Sequence, residues 1–101
     1  MEKYGYQGSL KAKAGKGKEL ADILLSASKN EMLGCHIYLI AQDSMDEDLI
    51  RITEVWDSKE LHDSSLKIES VRQSISQAMP LLDGMPEKGI ESKVLGGKGI
   101  D

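Results

Sequence analysis

Residues 34–56 read GCHIYLIAQDSMDEDLIRITEVW, and the way they alternate decides the fold. Along 34–42, Cys35, Ile37, Leu39 and Ala41 fall on one side of an extended chain, and His36, Tyr38 and Ile40 on the other. Along 49–56, Ile50, Ile52 and Trp56 share one side with Glu54, while Leu49 and Val55 take the other. The short acidic turn between two such runs predicts an antiparallel hairpin. A sheet with one wet face alternates apolar and polar residues cleanly. These strands are largely apolar on both sides, so both faces need a cover.

The flanking segments supply one cover. Residues 3–13 alternate with a period of two and form an opening strand, with Gly5 and Gly8 marking places where something packs closely on the backbone. Over residues 17–30 the period changes: Leu20, Ile23, Leu24 and Ala27 lie on one face of an amphipathic helix. After Trp56, Asp57 with Glu60 three residues later has the form of a capping box and opens a helix near Ser58. A further helix spans 70–82 with the stripe Val71, Ile75, Ala78, Met79 and Leu82. Pro80 tightens its last turn and Gly84 stops it. Residues 87–95 give a last strand. The order strand, helix, strand, strand, helix, helix, strand predicts an α+β, ferredoxin-like protomer with an antiparallel four-stranded sheet and helices on one face. No residues remain to cover the second face. A second copy of the chain is the economical cover, which predicts a homodimer packed sheet to sheet.

Composition bounds the rest. A chain of 101 residues without a linker or repeat makes one domain, 1–101, with one modest core. Phe is absent, so Leu, Ile, Val, Ala and the five Met must build that core. A net charge of −4 and the lack of an aromatic-studded basic cluster argue against a nucleic-acid partner. The lysine-rich run 11–18 reads as a solvated corner. Neither a signal peptide nor a span of membrane length is present, and the single Cys35 fits a reducing compartment, so the expected location is cytoplasmic, with no membrane partner.

Chemical motifs are sparse. His36 and His62 lie on different elements, and no HxxxH or CxxC spacing occurs, so no metal site is expected. The glycine-rich pieces lack phosphate-loop spacing. His62 is the side chain best suited to proton transfer at neutral pH, although local pattern favours a half-buried helical His held by an acid such as Asp63 or Glu69. Glu54 sits among apolar neighbours, as an edge group or as a pocket carboxylate with a raised pKa. Trp56 reads as core or as the roof of a cavity.

Taken together, the opening strand with KAKAGKGKELADILL, the run GCHIYLIA, the segment TEVWDSKELHDSSL and the later QAMPLLDGMPEKGIE resemble the antibiotic biosynthesis monooxygenase family. The Glu-x-Trp before an Asp-Ser helix start is the most specific piece. The resemblance spans residues 4–100 and implies a dimeric α/β barrel, with a cavity between helices and sheet in each protomer. It implies oxidation of quinol-like or polycyclic phenolic substrates by molecular oxygen with no cofactor. By position, Glu54, Trp56 and Tyr38 would line the pocket and His62 would be the catalytic base or hydrogen-bond partner. Many relatives carry a His nine residues after the Trp, where this chain has Ser65. His62 lies three residues earlier, rotated by about 60° on the helix. The helix Trp and His of the haem-degrading branch are Ser65 and Ile75 here, which disfavours haem breakdown. Two functions follow as expectations: a cofactor-independent monooxygenase, favoured by Glu54, Trp56 and His62, or a non-enzymatic small-molecule binding or sensing dimer, favoured by Ser65.

Overall fold

The computed structural model describes residues 2–30 and 32–100. Strand β1 spans Lys3–Lys11, helix α1 Gly17–Ala27, β2 Cys35–Gln42, β3 Leu49–Trp56, α2 Lys59–Ser65, α3 Glu69–Ala78 and β4 Ile90–Val94, with a 3₁₀ turn at Met79–Leu81. The four strands form one sheet in the order β2-β3-β1-β4, every neighbour antiparallel. This is the expected ferredoxin-like α+β arrangement.

Register assigns the faces. Ile50, Ile52, Glu54 and Trp56 lie opposite Leu10, Gly8, Tyr6 and Tyr4 of β1. On the other side the same residues pair with Gln42, Ile40, Tyr38 and Cys35 of β2. These rows face the helices. At one end they form a solid core with α1 and α3, in which Ala12, Leu20, Leu24, Ile50, Ala78 and Leu82 are all buried. The α1 stripe behaves as its spacing requires, with Leu20, Leu24 and Ala27 buried. On α3 only Ala78 is buried, while Ile75 and the following Met79 stay partly open. They border the cavity described below rather than packed side chains.

Several local details differ from the sequence reading. The pairing of β2 with β3 shifts between Cys35 and Ile37. This bulge takes Cys35 out of the row of Ile37 and Leu39 and sets it with Tyr38 on the helix side. The cap of α2 is Ser58, whose hydroxyl accepts from the Leu61 amide. Asp57 turns instead to His36, with Oδ1 2.7 Å from Nε2. The third helix stops at Ala78, and Pro80 converts the next turn to 3₁₀ because it lacks an amide proton. Leu82 then pairs with Ala12, and the Asp83 amide donates to the Lys11 carbonyl at 2.8 Å.

The lysine-rich corner does hold an anion, and it belongs to the chain itself. Asp48 accepts from the Gly17 amide at 2.9 Å and from the Gly15 amide at 3.1 Å, closing the start of α1 from the hairpin turn. A Cβ on Gly17 would lie 2.0 Å from the Glu47 carbonyl oxygen, so backbone meets backbone there. Replacing Gly17 with Ala forces the turn and helix apart. The expected cost is about 1–3 kcal/mol in a urea unfolding titration.

Candidate functional site

At the other end of the sheet the two layers do not fill the space between them. A cavity of about 290 Å³ opens there, bounded by Tyr6, Tyr38, Ile52, Glu54 and Trp56 from the sheet and by Ser65, Leu66, Ile75 and Met79 among others from the helical side. A second cavity of about 310 Å³ lies beyond Leu82 and Pro86 and is lined largely by polar groups such as Ser9, Lys11, Asp83 and Glu87. The first is the better candidate because its wall is apolar and its polar groups converge.

Among the described residues Glu54 is the one carboxylate in that wall, and the residue is only 8% exposed. Its place follows from strand parity: it points the same way as Ile52 and Trp56. The neighbouring Trp56, two residues on along the same face, donates its indole Nε1–H to Glu54 Oε1 at 2.9 Å. Burial raises the Glu54 carboxyl above its ordinary value, against the opposing pull of the Trp56 hydrogen bond and of His62. The same desolvation, helped by the nearby Glu54 charge, pushes the Tyr38 phenol up to about 12 and the Cys35 thiol up to about 11. Cys35 at its place on the sheet is therefore a half-buried thiol, not a thiolate.

His62 does not line the cavity. It lies behind Glu54, with Nε2 3.9 Å from Glu54 Oε1 and Nδ1 3.0 Å from Asp63 Oδ1. Its ring sits among three aromatic rings, 5.3 Å from those of Tyr4 and Tyr6 and 5.8 Å from that of Trp56. Tyr4 is tied at its far end: its hydroxyl donates to Glu91 Oε2 at 2.8 Å, and Lys59 Nζ reaches the same oxygen at 2.7 Å. Burial and that hydrogen bond raise the Tyr4 phenol. Ser65 reaches the cavity, and its hydroxyl donates to the His62 carbonyl at 2.6 Å.

Glu54, Trp56, Tyr38 and Ser65 thus meet at one cavity, and His62 stands one layer back. The sequence reading missed Tyr4 and Tyr6. Both alternate correctly in β1, but only the pairing of Tyr6 with Glu54 and of Tyr4 with Trp56 brings them to the site. Among the described residues, no three His, Cys, Asp or Glu side chains gather as a metal-binding set, and no helix is long and apolar enough to cross a membrane.

Fold and site together describe a ferredoxin-like protein with a mostly apolar cavity whose wall holds the buried acid Glu54. The profile of the antibiotic biosynthesis monooxygenase family matches residues 4–76. A protein of Chloroflexus aurantiacus assigned to antibiotic biosynthesis monooxygenases is 39% identical, with a TM-score of 0.89 over 98% of this chain and 99% of its own. A conserved protein of Methanosarcina mazei superposes with a TM-score of 0.83 at 16% identity, covering 93% of this chain and 94% of its own. A Caulobacter crescentus protein assigned to the same monooxygenases gives 0.83 at 16%, over 93% and 91%. These last two speak for the fold alone. Among curated proteins none matches. The chain belongs to the antibiotic biosynthesis monooxygenase family.

Glu54 makes stability depend on pH. The unfolded chain ionises this group near its ordinary value of 4.5, whereas the folded chain holds the proton to higher pH. Between those two points the folded state binds more protons, so stability falls as pH rises, and below 4.5 the contribution is fully present. Glu54→Gln keeps an acceptor for Trp56 and removes the charge. The variant is expected to be more stable than wild type at neutral pH, with the gap closing toward acid pH in urea titrations.

Proposed function

We propose that this protein is a monooxygenase of a quinol-like or polycyclic phenolic substrate, with Glu54 as the base. The observation that carries the reading is that, among the described residues, one buried carboxylate stands in the wall of a mostly apolar cavity. Such a group holds its proton more tightly than an exposed one, which brings it nearer to a phenol or an activated C–H. Among the described residues the lining offers no Lys or Arg for a carboxylate or phosphate. A neutral, mostly apolar molecule with one acidic proton suits it.

The chemistry asks for little more. Glu54 takes the proton, and the electron-rich anion passes one electron to molecular oxygen. The two radicals combine to a peroxide while the dry wall keeps water out. Loss of water leaves a carbonyl, so that R₂CH₂ and O₂ give R₂C=O and H₂O. In this scheme the substrate anion is itself the reductant. Tyr38 and Ser65 offer hydroxyls to a substrate oxygen, and Trp56 fixes the carboxylate.

Oxygen uptake with reduced menadione or a hydroxyanthrone tests the reading. Wild type is expected to exceed autoxidation, and Glu54→Gln to lose about 10²–10⁴-fold of the rate. Uptake no greater than autoxidation across such substrates, with binding retained, favours the binding or sensing dimer instead.

The same proposal includes a homodimer. The sheet face away from the helices carries Leu39, 56% exposed, and Ile90, 64% exposed, along with Ile37 and Val94. Apolar area of this kind is usually covered. Sedimentation is expected to give twice the 11.1 kDa of the chain. A particle of 11.1 kDa at micromolar concentration refutes the dimer.

A further inference from the structure

We propose that His62, with Asp63 at its outer end, is the relay through which Glu54 exchanges protons with solvent. The inference rests on the reading of Glu54 as the base and adds the path by which that base is served.

The geometry forms a line from cavity to water. Glu54 faces the cavity and is buried. His62 does not line the cavity, its side chain is 12% exposed, and its Nε2 stands 3.9 Å from Glu54 Oε1. Its other nitrogen is 3.0 Å from Asp63 Oδ1, and the Asp63 side chain is 53% exposed. A carboxylate accepts only, so the Asp63 contact holds the proton on Nδ1 and leaves the Nε2 lone pair turned toward Glu54. The remaining gap is one that a small ring swing closes.

Every group packed around the imidazole fits this role. From β3 come Glu54 and the edge of Trp56, and from β1 the rings of Tyr4 and Tyr6. From α2 itself come Asp63 and Lys59, whose Nζ sits 5.9 Å from the Tyr4 ring. Glu91 of β4 is occupied by Tyr4 and Lys59. The aromatic rings hold the imidazole plane without competing for its nitrogens.

Proton accounting closes. The substrate proton passes to Glu54, then to His62 Nε2, while the proton on Nδ1 leaves through Asp63 to water. When hydroxide departs from the peroxide, the path runs in reverse. One proton enters at Nδ1, the one on Nε2 returns through Glu54, and water forms. The starting tautomer and the carboxylate are both restored. His62 acts through Glu54 and touches no substrate.

Two measurements on the full chain decide the matter. In the first, with reduced menadione as probe, His62→Gln is expected to lower kcat about tenfold or more at unchanged KM, with added imidazole restoring it. Asp63→Asn is expected to make kcat rise with buffer concentration. In the second, without substrate, the ¹³C carboxyl signal that Glu54→Gln removes is followed against pH. His62→Gln is expected to move its midpoint upward, because the imidazole that has taken the Glu54 proton on Nε2 is a cation beside the carboxylate, and its attraction for the ionised form is lost. A lowered kcat that imidazole does not rescue assigns His62 a packing role and overturns the relay. An unmoved Glu54 midpoint overturns it even if wild type never oxidises the probe. A shifted midpoint in a protein that oxidises nothing retains the His62–Glu54 link and rejects the oxidation reading instead.

Discussion

The hydrogen bond from the Trp56 indole to Glu54 is the constraint on which the site depends. Stripping water from a carboxylate costs several kcal/mol, and a single charge-assisted hydrogen bond returns only about 1.5–3 kcal/mol. The shortfall explains why the carboxyl clings to its proton. It also explains why the surroundings are so crowded with rings. Trp56 is 1% exposed and closes the end of the sheet, so its N–H has no alternative partner in water. Helix α2 has to dock over it, and at Gly34 a Cβ would come within 2.5 Å of Leu61 Cδ1. That residue also adopts a φ of +82°, which favours glycine.

One half of the molecule is full and the other hollow, and the full half sets the spacing for both. Backbone contact at Gly17 and the pairing of Leu82 with Ala12 clamp helices to sheet beside Leu20 and Ile50. Close packing there is obligatory, since each lost methylene is felt. Beyond Leu24 and Ala78 the layers are already held apart, and side chains such as Ile75 and Met79 border space instead of filling it. Their burial is incomplete because their work is to shape a wall.

Much of this was legible in the residues themselves. Period-two alternation assigned Ile50, Ile52, Glu54 and Trp56 to one side, and strand parity alone made Glu54 and Trp56 neighbours. The helix stripes of Leu20 and Leu24 were equally plain. What escaped depended on pairing across the chain. The bulge beside Cys35 exists only relative to β3, so simple alternation put Cys35 on the wrong side. Asp57 and Ser58 are both good caps, and the choice between them was made by His36. Asp48 closes a helix whose start lies far away in sequence, beyond any local pattern. The setting of His62 behind Glu54 follows from the docking of α2, which helical spacing does not encode.

The free edges of the sheet carry a last consequence. Edge strands offer unpaired amides and carbonyls that invite foreign strands. Here β4 is only five residues long, bears Glu91 and Lys93, and runs into Gly96 and Gly97, whose φ values of 141° and 146° leave the ladder geometry. At the opposite edge, β2 carries a bulge at its Cys35 end, where His36 turns toward Asp57. The β4 rim presents no long flat template. A chain with apolar residues on both faces of its central strands is guarded along that edge against growth into cross-β fibres.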